Sequence, residues 1–187
     1  MIEVYKEADA NIVDMAKRFG ITSTINPYDA TALGSDVVRP LELISAYSAF
    51  ANKGVRMTPI SVLRVEDKDG NLLEEAIPGG PPVISAQTAY VMTDLLRGPM
   101  DHPRGTAYYR ARQVYRFKRP AAGKTGTTND YRNAWFIGYT PQMTAGVWVG
   151  FDDERITLGD DRTGGKTALP IWAPFMRMAH DTLGLPL

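Results

Sequence analysis

Apolar residues recur along this chain with two different periods, and the switches between them mark out helices and strands. Ile12, Met15, Ala16 and Phe19 fall three and four apart, the spacing that gathers side chains on one face of a helix. Asp9 or Asn11 stands where a cap is needed, and Gly20 where a stop is needed. The period then lapses over residues 21–38, where Asn26-Pro27 and Gly34-Ser35 read as loop. Pro40 occupies a first helical position, and Leu41, Ile44, Ala46, Tyr47, Phe50 and Ala51 follow as a packing stripe closed by Gly54. Residues 60–65 turn strand-like. Asp67-Lys68-Asp69-Gly70 makes a hairpin turn with a return through Asn71-Leu72-Leu73. A proline- and glycine-rich link over 77–82 leads to a helix capped by Ser85 and running to about Leu96, with Ala89, Met92, Leu95 and Leu96 facing inward.

The second half of the pattern is different. Residues 97–119 are basic and irregular, with Tyr108, Tyr109, Tyr115 and Phe117 interleaved. Two runs rich in aromatic and β-branched residues follow, 133–139 and 144–151, joined by Thr140-Pro141-Gln142-Met143. An acidic, glycine-rich loop covers 152–165. A last helix covers about 168–183, with Pro170 near its start and Ile171, Trp172, Phe175, Met176 and Ala179 as its packing face. The expected class is α+β: an antiparallel sheet flanked by the C-terminal helix, preceded by a mainly helical region.

Composition narrows the function. The 187 residues suffice for one domain, with 44% hydrophobic and 22% charged residues as in ordinary globular proteins. Twenty-one basic and twenty-one acidic residues cancel, so no overall field points to nucleic acid or an anionic membrane. The basic 97–119 segment therefore reads as a solvated lip. Without cysteine there is neither disulfide nor thiolate chemistry. No apolar run approaches the ~20 residues of a bilayer span, and this stretch is expected to be soluble. Asp152, Asp153, Asp160 and Asp161 do not follow the calcium-loop spacing, and His102 and His180 sit in no ligand-spaced motif, so no metal or other cofactor is expected. Gly-Lys-Thr occurs twice, but a phosphate-binding loop needs glycine five positions earlier, where Lys118 and Asp160 stand.

One segment carries candidate chemistry. Gly123-Lys124-Thr125-Gly126-Thr127-Thr128 combines a cation, several hydroxyls and a glycine without a Cβ, which suits an anion approaching an extended main chain. Lys-Thr-Gly is one of three motifs of penicillin-binding proteins. The whole run KTGTTND-YR-AWF-GYTP, then AGVWVGFDD, closely resembles the transpeptidase domain of class A (bifunctional, 1A-type) penicillin-binding proteins. The earlier segments AKRFGI, ALGSDVVRPLELISAYSAFANKG and VISAQTAYVMTDLLRG resemble the same domain in the same order, so the likeness covers essentially all of 1–187.

That resemblance implies a partial transpeptidase fold, with 1–119 as helical part and lip and 120–187 as Lys-Thr-Gly strand, following strands and helix. It implies that Lys124 supplies positive charge near the substrate carboxylate and steadies proton traffic at a serine. Thr127 would contact the carboxylate through its hydroxyl and offer its backbone N–H to the oxyanion. Thr125, Gly126, Thr128 and Asn129 would line the substrate. The family also needs Ser-x-x-Lys and Ser-x-Asn, and none of Ser23, Ser35, Ser45, Ser48, Ser61 or Ser85 begins either motif. The chain is thus expected to be the C-terminal part of such a domain, inactive alone. The parent would be membrane-anchored and extracytoplasmic, with a glycosyltransferase domain ahead of it. Its partners would be peptidoglycan stem peptides and β-lactams, with no nucleic acid. The alternative is a non-catalytic half-domain binding cell-wall peptide or protein. A truncated sheet would also expose a strand edge prone to self-association.

Overall fold

A computed structural model of the chain describes residues 9–28, 30–153 and 155–186. Helix α1 (Asp9–Arg18) ends where Gly20 adopts a φ of 83°. The cap expected at Asp9 or Asn11 rests on side chains outside those the structure describes. A 3-10 turn at Thr31–Leu33 interrupts the following loop. Helix α2 (Pro40–Ala51) has its proline at the start, where a missing N–H breaks no helical bond. Glu42, in its first turn, accepts the backbone N–H groups of Thr22 (3.2 Å) and Ser23 (3.1 Å) and the Ser23 hydroxyl (2.8 Å), tying the loop to the helix. The hydroxyls of Thr22 and Ser23 are the main reason its carboxyl falls to about 2.

Strands β1 (Arg64–Glu66) and β2 (Leu72–Glu75) form the expected hairpin, shorter than its apolar run and exposed throughout. Helix α3 (Ala86–Asp101) is capped by Ser85 Oγ, which accepts the N–H of Thr88 at 3.1 Å. It runs past Leu96 and through Pro99. Burial of Met100 beneath the core accompanies that extension, whereas Leu95, expected inside, is 65% exposed. The segment expected to be irregular contains a π-helical turn, Tyr109–Val114, anchored by buried Ala107 and Ala111. Arg112 joins it to α3 through Asp101 at 2.6 Å. Among the described residues no helix is long and apolar enough to cross a membrane.

Strands β3 (Ala122–Thr127), β4 (Asn133–Tyr139) and β5 (Thr144–Gly150) form an antiparallel sheet in the order β3-β4-β5. Ala122 pairs with Tyr139 and Thr127 with Ala134 across the first ladder. Within the loop expected over 152–165, Gly164 opens a single helical turn, α4 (Gly164–Thr167), which leads into α5 (Leu169–Thr182). The two-residue alternation of strands gives the sheet one face with Phe136 and another with Ile137.

The Phe136 face is closed by α5. Trp172 lies with its ring centroid 4.9 Å from that of Phe136 and 5.3 Å from that of Phe117, and its Nε1 donates to Ala145 O at 3.0 Å. A Cβ on Gly138 would stand 2.7 Å from the Trp172 ring, so a bare backbone is what admits the indole. The inner side of α5 is Leu169, Trp172, Ala173, Met176 and His180. Ile171 and Phe175, expected there, are about half-exposed, because seating the indole sets the rotation of the helix. His180 is fully buried: its Nδ1 meets Met176 O at 2.7 Å and its Nε2 meets Thr140 Oγ1 at 2.8 Å. A carbonyl only accepts, so Nδ1 carries the proton there. Thr140 Oγ1 already accepts the N–H of Met143 (3.2 Å), leaving its own proton for Nε2. On the opposite sheet face, Ile44 of α2 sits over Gly146 and the Tyr139 hydroxyl meets Thr93 of α3 at 3.0 Å.

Candidate functional site

Strand β3 bonds to β4 along its length and to no other strand among the described residues. It is therefore an edge, with one row of main-chain groups turned away from the sheet. Lys124 and Gly126 lie on the Ile137 face, beside Trp135. Thr125 and Thr127 lie on the Phe136 face. The ammonium and the two hydroxyls thus leave the strand on opposite sides. A single ligand touching both has to run along the open edge between them.

Each residue singled out from the sequence has a defined place. Lys124 is exposed and its Nζ donates to Thr125 O at 2.9 Å, folded back on its own strand. Thr125 Oγ1 lies 3.1 Å from Thr106 Oγ1. Gly126 packs against Trp135, whose Cβ would be 3.0 Å from an added Cβ. Thr127 Oγ1 accepts the backbone N–H of Gly164 at 3.0 Å. Thr128 holds the turn. Its hydroxyl oxygen accepts the N–H groups of Arg132 and Asn133, both at 2.9 Å, and so pins the β3–β4 turn. Asn129 is exposed within that turn.

The turn is held from outside as well. Thr157 Oγ1 donates to Asp130 O at 2.8 Å and Leu158 N to Tyr131 O at 2.9 Å, so the loop after β5 lies against it. Beside Gly126, Trp135 and Trp148 pack with ring centroids 6.5 Å apart, and Trp148 Nε1 donates to Asn133 Oδ1 at 2.8 Å. The second Gly-Lys-Thr lies on α4, where Lys166 pairs with Asp161 on the surface. The acidic loop holds local ion pairs, such as Asp153 with Arg155 at 2.8 Å. That guanidinium holds the Asp153 carboxyl below the ordinary range.

Chemically, β3 offers a cation, two hydroxyls and free main-chain donors on one edge. That set can bind an extended chain bearing a carboxylate. Two of its parts escaped sequence reasoning. Nothing in the pattern around Thr106 announces a contact made 19 residues later. Gly164-Gly165 reads as part of a loop, although paired glycines ahead of a helix are a usable signal of close approach.

Residues 10–177 match the family described as penicillin binding protein transpeptidase domain. Penicillin-binding protein 1A of Aquifex aeolicus is 37% identical over 167 residues, 89% of this chain and 22% of that protein. The crystal structure of penicillin-binding protein 1A from Haemophilus influenzae matches with a TM-score of 0.80 at 29% identity, over 88% of this chain and 30% of that one. The PonA1 protein from Mycobacterium tuberculosis, solved in complex with penicillin V, matches with a TM-score of 0.75 at 25% identity, over 90% of this chain and 49% of that one. The chain therefore spans well under two thirds of each of these relatives, and the α+β class expected from the sequence is the one they share.

Proposed function

The chain belongs to the penicillin-binding protein transpeptidase family, and from that premise we propose that it forms part of a serine-type D,D-transpeptidase that cross-links peptidoglycan. The observation that carries this reading is the open edge of β3, with Lys124 on one side and the Thr125 and Thr127 hydroxyls on the other. A stem peptide or β-lactam lies along that edge, its carboxylate drawn by Lys124 and hydrogen-bonded by Thr127. Gly126 keeps the strand accessible, Thr125 contributes a hydroxyl, and Thr128 and Asn129 shape the turn at the end of the groove.

The reaction divides into two steps. A serine outside these 187 residues attacks the carbonyl of the D-Ala-D-Ala bond, and the C–N bond breaks. The terminal D-Ala departs with a proton as the free amine, leaving an acyl ester. A neighbouring stem-peptide amine then attacks the ester, forming the cross-link and returning the proton to the serine oxygen. Through both tetrahedral stages the Thr127 N–H serves as one oxyanion donor, a contact worth about 3 kcal/mol when placed correctly. A β-lactam follows only the first step and stays attached. The parent is anchored at the cytoplasmic membrane with its active domain outside, behind a glycosyltransferase domain.

The test compares this chain with the full reading frame that contains it, each treated with fluorescent penicillin and mapped by mass spectrometry. The chain alone is expected to take no label, since no serine here begins Ser-x-x-Lys. The full frame is expected to take one equivalent on a serine, reduced at least about 100-fold by Lys124→Ala if that charge acts in the transition state. A full frame with neither Ser-x-x-Lys nor Ser-x-Asn, and with no label, replaces the enzyme reading with a non-catalytic cell-wall-binding module.

A further inference from the structure

We propose that the Gly164-Gly165 turn and Thr106 form a brace behind β3 that aims the Thr127 and Thr125 hydroxyls at the open edge of the strand. The inference rests on the transpeptidase reading and adds positioning residues to it. Gly164 approaches the strand from the side away from Lys124. A Cβ on it would fall 2.1 Å from Trp135 O and 2.5 Å from Gly126 O, both main-chain atoms that cannot yield by changing rotamer. That closeness is what lets the Gly164 N–H reach Thr127 Oγ1 at 3.0 Å. Gly165 plays the same part for the second hydroxyl. A Cβ there would lie 2.7 Å from Thr106 O, so its absence lets the Thr106 segment close on the turn, 3.1 Å hydroxyl to hydroxyl from Thr125.

The direction of these bonds matters more than their number. A hydroxyl has one proton and two lone pairs. The Gly164 N–H can only donate, so it occupies a lone pair of Thr127 and leaves the Thr127 proton free. The Thr106–Thr125 contact joins two hydroxyls, either of which can donate; when Thr106 donates, the Thr125 proton is free in the same way. Thr127 is thus available as a donor, and Thr125 becomes one as well when Thr106 donates to it, which is what a carboxylate on the edge requires. Two alternative sources of such order are absent here. Thr128 is committed to the turn, and Lys124 lies on the other face.

The experiment measures acylation of the full reading frame by benzylpenicillin and by its methyl ester, which lacks the carboxylate charge. Thr106→Val removes the rear hydroxyl with little change in size. It is expected to lower acylation by the free acid about five- to tenfold, the scale of one hydrogen bond, while the ester changes by less than about twofold. Thr106→Ser restores the acid rate. Gly164→Ala, which must displace main chain, is expected to lose roughly 100-fold. Because that variant could also fold poorly, the acid-to-ester ratio of Thr106→Val at unchanged Tm decides. An unaltered ratio, or equal loss on both compounds, overturns the brace. A wild-type protein that forms no acyl adduct overturns the transpeptidase reading itself and the brace with it. A labelled wild type beside an unaltered Thr106→Val overturns the brace alone.

Discussion

The two faces of the β3–β5 sheet differ in how far they are covered. On the α5 side Phe136, Leu169, Trp172 and Met176 are wholly buried, and the indole N–H is satisfied by Ala145. On the other side cover from α2 and α3 reaches Ile137 and Tyr139, then gives way to Lys124, half-buried Trp135 and a Trp148 that is 40% exposed. The closed face is rigid because interior side chains pack at crystal-like density. The open face presents the cation. A strand that must hold hydroxyls still from behind while offering charge in front needs this asymmetry.

The sharpest way to break the contrast is to empty the closed face. Trp172→Ala is expected to cost about 3–5 kcal/mol in urea unfolding, as for other large core truncations. Trp148→Ala on the open face should cost far less, and equal losses would mean that the two faces are equally packed. Thr140→Val comes next. It strips the buried His180 Nε2 of its donor and should cost about 1–3 kcal/mol, with Thr140→Ser recovering most of it.

A third prediction concerns pH. The Glu42 carboxyl lies at about 2 in the folded chain against an ordinary 4.5, so between those values the unfolded chain binds more protons. Stability from this group is fully present above about pH 5 and lost as pH falls toward about 2. Glu42→Gln is expected to flatten that part of the curve, and an identical acid slope in both proteins would contradict it. The smallest effect belongs to α3, where Leu95→Ala should change stability by no more than about 0.5 kcal/mol because the side chain faces water.

These contrasts also show what was legible beforehand. Asn133–Tyr139 is a strand with the bounds its aromatic and β-branched run implied, because such residues suit a pleated surface buried on both sides. Pro40 and Ser85 mark helix starts correctly, since both act through local backbone chemistry. The packing faces were less legible. Leu95, Ile171 and Phe175 look as apolar as Met100, Trp172 and Met176, yet they face outward. Period alone places them on a helix without saying which arc meets a neighbour.

The candidate site divides along the same line. The motif from Lys124 to Asn129, its place in a strand and its family are properties of adjacent residues, and the sequence alone determines them. Tertiary structure decided that β3 is an edge, that Lys124 and Thr127 leave it on opposite faces, and that Thr128 is committed to a turn. It also decided that Gly164, 37 positions downstream, stands behind Thr127. The physical reason is range. Strand and cap preferences act over a few residues, whereas an edge and a brace exist only once distant segments compete for the same side of a sheet.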